Sequence, residues 1–279
     1  MAIAETDFAF ISDFARRSAA IVLEPGKEYL VESRLAPIAR ELTGGSLDAL
    51  IERIRSTANG SALRARTLDA LTTNETSFFR DFHPYVALQE SILPELISRR
   101  GADQRLTIWS AACSSGQEPY TLAMIIREHF PALARWNVRI LATDISPTVL
   151  AHARAGCYSQ FDVNRGLPAK YLARYFQKSE AGWTVAPTLR ELIEFKERNL
   201  IEPWPAREEF DLVLMRNVLI YFDSESRRQV LRNVRARMRP GGVLLLGTAE
   251  TTVQLDPAWS VVRYDKTSVF TVNPPGARP

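Results

Sequence analysis

Two acids that follow apolar runs are the first residues in this chain able to do chemistry. Glu118 comes after the largely apolar run Leu106–Ala112 and the break Ser114-Ser115-Gly116, and Asp144 ends a second run, Val138–Thr143. A carboxylate at the first place would repel a phosphate. A dinucleotide loop would carry G-x-G-x-x-G, whereas this one has Gly116 alone. The place suits a cationic or hydroxylated ligand, and S-adenosylmethionine is both, through its ammonium, sulfonium and ribose. An ordinary strand-to-helix turn capped by serine is the other reading of this loop. At the second place an acid accepts hydrogen bonds from ribose hydroxyls in nucleoside-binding α/β folds. A strand-end aspartate that merely caps a helix starting at Pro147 competes with it.

Two further groups belong with these. TTNETSFFRD, at 72–81, is too rich in functional side chains for a plain linker of glycine, serine or proline. Asn74, Thr76 and Arg80 donate or accept hydrogen bonds beside Phe78 and Phe79, which can wall a pocket. Arg216-Asn217 and then Tyr221 follow the apolar run Phe210–Met215 and place polar groups at the mouth of the same crevice.

Such residues converge where strands end. Strands are predicted at about Leu106–Ala111, Val138–Thr143, Leu192–Lys196, Phe210–Met215 and Gly242–Gly247, with helices at about Gln117–Phe130, Pro147–Ala155 and Ser224–Met238 between several of them. This is the alternation of a doubly wound, Rossmann-like α/β sheet, whose ligands sit at the carboxyl ends of the strands. Val261–Tyr264 and Ser268–Val272 read as a terminal antiparallel hairpin. Gly156–Arg190 is longer than a crossover needs, and holds a helix near Lys170–Phe176 and a short hairpin appended to the sheet around Gly182. Before the sheet, helical spacing runs through residues 6–73: Phe8, Ile11, Phe14 and Ala15 share one face, and Tyr29, Leu30, Leu35, Ile38 and Leu42 another. Gly44-Gly45 stops that second helix and Ser46 caps a third. The expected domains are therefore a small all-helical one at 1–73, a linker and lead-in helix at 74–100, and the sheet domain at 101–279 with an insertion at about 156–190.

Composition excludes several classes. The chain has 279 residues, 46% hydrophobic and 24% charged, with a net charge of +3, too small to argue for nucleic acid. Cys113 and Cys157 form no C-x-x-C, so neither a disulfide framework, a zinc site nor an iron–sulfur cluster is indicated. His83, His129 and His152 show no metal-ligand spacing, and no metal is expected. No stretch approaches a membrane span of roughly eighteen apolar residues, and Met1–Phe10 lacks the pattern of a signal peptide, so a cytoplasmic protein is expected. Arginines 34, 40, 53, 55, 64 and 66 stand against Glu41, Asp48 and Glu52; a solvated helix face explains them, and so does a dock for an acidic partner. The Pro and Gly content of Asn273–Pro279 predicts a disordered tail.

Taken together, the motifs resemble those of the chemotaxis receptor methyltransferases, the CheR family. They are TTNETSFFRD at 72–81, IWSAACSSGQEPYTLAM at 108–124, LATDIS at 141–146, RNL at 198–200, FDLVLMRNVLIYFD at 210–223 and MRPGGVLLLG at 238–247. The resemblance implies methyl transfer from S-adenosylmethionine to glutamate side chains of chemoreceptor cytoplasmic domains, leaving S-adenosylhomocysteine. It implies cofactor contacts from Asn74, Thr76, Arg80, Glu118, Asp144, Asn199, Leu200, Arg216 and Asn217, with Arg80 and Tyr221 nearest the chemistry. It implies that the arginines of the helical domain lie along the receptor's methylation region, and a monomer is expected. Some members grip a receptor's C-terminal peptide tag with a β-subdomain. The matching segment here, Gln177–Pro187, is short, so tag tethering is not expected. Two alternatives stay open: a methyltransferase acting on RNA or a small molecule, and a non-catalytic receptor-binding module. Against the first, nucleic-acid amino methylases tend to carry N/D-P-P-Y where this chain has Arg216-Asn217-Val218.

Overall fold

The computed structural model describes residues 3–205 and 207–272; the tail expectation for Asn273–Pro279 lies outside them. The chain divides into two compact units, one reaching to Thr73 and including Tyr221–Ser226, the other running from Asn74 to Ile220 and onward from Arg227.

Helical periodicity organises the first unit. Helices α1 (Glu5–Ala19), α2 (Glu28–Thr43), α3 (Leu47–Ser56) and α4 (Ala62–Leu71) bury Phe8, Ile11, Leu35, Ile38, Leu50 and Leu71 in one apolar core. The hydroxyls of Ser46 and Ser61 accept from the N–H of Ala49 and Arg64 and so cap α3 and α4. Gly44 ends α2 in the left-handed conformation. Tyr29, expected to face inward, is 62% exposed, while Val31 is fully buried. Val31 lies one turn before Leu35 and shares its face; Tyr29 is rotated to the far side.

The second unit begins with the linker and α5 (His83–Ala87), which passes through a π turn (Leu88–Ile92) into α6 (Leu93–Arg100). There follow β1 (Arg105–Ala111), α7 (Gln117–His129), β2 (Asn137–Asp144) and α8 (Pro147–Ala155). The insertion holds β3 (Cys157–Tyr158), α9 (Gln160–Asn164), α10 (Ala169–Tyr175), β4 (Phe176–Ser179), β5 (Gly182–Val185) and α11 (Pro187–Arg190). The rest is β6 (Ile193–Glu197), β7 (Phe210–Met215), α12 (Ser224–Arg235), β8 (Met238–Leu246), β9 (Trp259–Tyr264) and β10 (Thr267–Val272).

The main sheet has the order β6-β2-β1-β7-β8-β10-β9. Its first five strands are parallel, and β10 is antiparallel to both neighbours. The chain steps outward from β1 to β2 and β6, then returns beside β1 with β7, which makes the β1–β7 boundary the switch point where a crevice opens. Phe210–Met215 is buried at every position, as a parallel strand covered on both faces must be. The hairpin expected around Gly182 is present as β4 and β5, but it is not appended to the main sheet. β3, β5 and β4 form a separate three-stranded antiparallel sheet, so the segment's shortness does not cost it a sheet. Gly166 in this insertion has φ +85°, and a Cβ there would lie 2.2 Å from the carbonyl oxygen of Phe78. The insertion thus presses directly on the linker. Phe78 is itself fully buried, edge-on to Tyr158 and Phe176, a burial worth about 1.5–3 kcal/mol.

Candidate functional site

The site residues of the second unit meet at the carboxyl ends of β1, β2, β6 and β7. After β1 the backbone turns through Ala112 and Ser114, both left-handed, into Gly116 at φ +92°. A Cβ at Gly116 would meet Ala153 Cβ at 2.9 Å, so glycine is required both by conformation and by space. No side chain caps α7, contrary to the serine-capped reading of this loop; the Ser115 hydroxyl instead bonds Gln117 Oε1. The positive end of the α7 dipole therefore faces the crevice unanswered by a cap.

Asp144 at the end of β2 ties two loops together. Its Oδ2 accepts from Ser114 N–H at 2.8 Å and its Oδ1 from Ser146 N–H at 2.9 Å. The N-cap of α8 is Ser146, whose hydroxyl accepts from Val149 N–H. The Ser114 hydroxyl donates to the Asn74 carbonyl at 2.7 Å and fixes the linker to the β1 loop. Thr76 is half-buried a step further along. On the other side, the carbonyl of Asp144 accepts from Arg198 N–H, which places Asn199 and the buried Leu200 beside it. Asn199 Oδ1 accepts from Ile201 N–H and shapes the turn after β6.

Glu118 and Arg216 form the charged centre. The Glu118 carboxylate, 8% exposed, accepts from Ser110 Oγ at 2.7 Å and from Arg216 Nη1 at 3.4 Å. Burial pushes the Glu118 carboxyl above the usual carboxylate range, with Arg216, Ser110 and the more distant Arg80 opposing. Arg216 also donates to the Tyr85 hydroxyl at 3.1 Å, to the Arg80 carbonyl at 2.9 Å and to Asp81 Oδ2 at 2.7 Å. Its Nη1 and Nη2 are held by these partners and clasp the linker to α7, while its Nε is buried and meets no hydrogen-bond partner among the described residues. Arg80 is half-buried, and its Nη1 donates to the Glu75 carbonyl at 3.0 Å. Tyr221 belongs to the first unit, where its carbonyl accepts from Val22 N–H at 2.9 Å.

Three contributors are not singled out in the sequence: Asp81, although it closes the TTNETSFFRD stretch, and Tyr85, which both grip Arg216, and Glu250. The Glu250 carboxylate accepts from the N–H groups of Asn217, Val218, Ile220 and Gly247, at 2.7, 2.9, 3.2 and 2.7 Å. It holds Asn217 in the left-handed region at φ 58°. Of the ten non-glycine residues with positive φ among those described, six sit in these loops: Phe79, Asp81, Phe82, Ala112, Ser114 and Asn217. Such conformations cost about 1–3 kcal/mol each and persist at sites where the surroundings over-determine them.

Comparison with known proteins meets this geometry from the other direction. Residues 74–267 match the model of the CheR methyltransferase SAM binding domain, and residues 6–72 that of the CheR methyltransferase all-alpha domain. The chain belongs to the CheR methyltransferase family. Chemotaxis protein methyltransferase 1 of Pseudomonas aeruginosa is 41% identical over 267 residues, covering 94% of this chain and 96% of its own. Chemotaxis protein methyltransferase Cher2 of Pseudomonas putida is 38% identical, with the same coverage of each chain. A chemotaxis protein methyltransferase of Borreliella burgdorferi is 34% identical, covering 83% of each. As a CheR protein, the chain is an S-adenosylmethionine-dependent methyltransferase with the fold anticipated from its motifs.

The donor set of this CheR site suits that cofactor. Glu118 and Asp144 are buried acids at two points of one crevice, matching a ligand with an ammonium at one end and hydroxyls in the middle. Asn217 Oδ1 is a buried acceptor that meets no donor among the described residues, a cost removed when a ligand N–H or O–H reaches it. Among the described residues, no helix is long and apolar enough to cross a membrane.

Proposed function

We propose that this CheR protein methylates glutamate side-chain carboxylates of chemoreceptor cytoplasmic domains, forming methyl esters. The acid-lined crevice carries the reading: buried Glu118 and Asp144 fit a cationic, hydroxylated methyl donor, and relatives named as chemotaxis protein methyltransferases support an acceptor among chemotaxis proteins. In this reading Glu118 faces the ammonium and Asp144 the ribose hydroxyls. Asn74, Thr76, Asn199, Leu200, Arg216 and Asn217 complete the cofactor contacts. When bound, S-adenosylmethionine supplies an electrophilic methyl group on a sulfonium.

The acceptor requires little activation. A glutamate carboxyl has an ordinary pKa of about 4.3 and is already ionised at neutral pH, so no proton need be removed. What remains for the protein is alignment and exclusion of water, and alignment is worth up to roughly 7–11 kcal/mol in favourable cases. Arg80 holds a carboxylate in its planar fork, and Tyr221 orients the acceptor. In the helical unit, Arg55, Arg64, Arg66 and Arg34 are engaged with Asp7, Asn59, Glu41 and Thr73. Among the described residues, Arg40 and Arg53 form no such contact, and they are the arginines most available to a receptor's acidic helices. A cytoplasmic monomer goes with this reading.

The test is transfer of labelled methyl from S-adenosylmethionine to a chemoreceptor cytoplasmic fragment, followed by alkali. An ester releases its label as methanol; an N-methyl group keeps it, and retention would refute the reading. Arg80→Ala and Tyr221→Phe are expected to lower kcat while the far-UV circular dichroism stays unchanged. Wild-type turnover from both would remove them from the chemistry.

A further inference from the structure

A second concave surface lies on the sheet unit, beside the donor crevice. β9 and β10 alternate: Val262, Tyr264 and Val269 turn toward the large core, so Val261, Arg263, Ser268 and Phe270 face the opposite way. That opposite face lines a cavity of about 320 Å³, closed on the other sides by Asp81 and His83, by Glu250 and by Val253. Two features separate it from ordinary surface. Val253 and Val261 are 55% and 43% exposed, an apolar floor left open to water. The charges of its wall are also unequally used. Asp81 is paired with Arg216 at 2.7 Å, and Glu250 is taken up by four backbone N–H groups. The side chains of Arg263 and Lys266 form no ion pair or hydrogen bond among the described residues, although both line the cavity. The groove therefore offers an apolar strip with two uncommitted cations.

Its position gives it meaning. Asp81 follows Arg80 and shares Arg216 with Glu118, and Glu250 holds Asn217. The groove thus shares its walls with the loops that build the donor crevice. We propose that it receives the polypeptide flanking the methyl-accepting glutamate, with Arg263 and Lys266 binding a second carboxylate on that segment and Val253 and Val261 taking an apolar side chain. This rests on the reading of the acceptor as an acidic protein segment. Charge complementarity favours it, because the groove's own acids are already engaged, Asp81 by Arg216 and Glu250 by four backbone N–H groups, and its cations are not.

The double variant Arg263→Glu/Lys266→Glu tests it, since both residues are exposed and outside the donor crevice. Against a chemoreceptor cytoplasmic fragment, KM is expected to rise about tenfold or more with kcat within about twofold, a change of some 1.4 kcal/mol in binding. The affinity for S-adenosylhomocysteine should not move. Arg263→Gln/Lys266→Gln should fall between the double reversal and wild type. An unchanged KM overturns the proposal. A separate arm measures anisotropy of a fluorescein-labelled amphipathic peptide bearing Glu at every fourth position. It should bind wild type about fivefold or more tightly than the charge-reversed variant, and equal binding overturns the groove assignment. This arm reads the groove even if wild type transfers no base-labile methyl, an outcome that would sink the acceptor reading alone.

Discussion

Glu118 shows how one carboxylate serves two demands. It is buried, which raises its pKa, and in the proposed function it faces a ligand that needs it ionised. A carboxyl whose folded pKa lies above its ordinary value of 4.5 binds a proton more tightly in the native state than in the unfolded chain. Its stabilising contribution is therefore fully present below 4.5 and is lost as pH rises through the folded value. Cofactor binding runs the opposite way, because an ammonium prefers the ionised form. Affinity for S-adenosylhomocysteine should accordingly fall as pH drops toward the raised pKa, beginning above 4.5. Glu118→Gln should bind roughly ten- to hundredfold more weakly, the worth of one charge-assisted hydrogen bond, and its affinity should be flat over the same range. Calorimetry in matched buffers from just above pH 4.5 upward decides; parallel curves for the two proteins would contradict the assignment. The sequence made Glu118 and Asp144 visible because each follows an apolar strand at a turn. It could not show that Arg216 clasps Asp81, Tyr85 and Glu118, since those partners lie 135, 131 and 98 residues away and no spacing rule links them.

The loop after β7 is a structure imposed by one side chain. Leu219–Tyr221 forms a single 3₁₀ turn, too short to hold itself, and the N–H groups before it point at Glu250. Glu250→Gln keeps the shape but turns an NH₂ toward two of those donors. The expected cost is about 1–3 kcal/mol for each donor left unpaired, less where water reaches Ile220. Turnover should fall further than the denaturation midpoint, because Asn217 relaxes from its left-handed geometry before the sheet gives way. A variant that loses stability and activity in proportion would show Glu250 to be a stability device only. No periodicity announces this residue, and the same holds for β3, which turns the hairpin of β4 and β5 into a three-stranded sheet. A strand of two residues offers too few positions for an alternation to be read. β1 and β7 were legible for the converse reason: strands buried on both faces are runs of apolar residues. Tyr29 and Val31 mark the limit of helical spacing, which places a stripe but not which of two close residues stands on it.

Each of the two units owns an apolar core, one built from Phe8, Ile11, Leu35 and Ile51, the other around Phe78, Ile108, Tyr120 and Leu214. A domain with its own core folds alone in principle. The Asn74–Ser114–Asp144 contacts and the Glu118–Arg216 pair lie wholly in the sheet unit, whereas Arg40, Arg53 and Tyr221 lie in the other. A fragment starting at Asn74 should therefore fold cooperatively and bind S-adenosylhomocysteine within about threefold of the full chain, a difference of no more than roughly 0.7 kcal/mol. It should have lost methyl transfer to a receptor fragment, since it lacks the basic helices and leaves Tyr221 without the Val22 N–H that its carbonyl accepts. Adding the helical unit as a separate polypeptide should restore little, because the two pieces then meet only at their free concentrations rather than at the high effective concentration a linker provides. Titration calorimetry and the label-transfer assay on the same fragment check both halves. Loss of cofactor binding would show that the sheet unit cannot build its crevice alone, and retained receptor methylation would show that the helical unit is not the receptor dock.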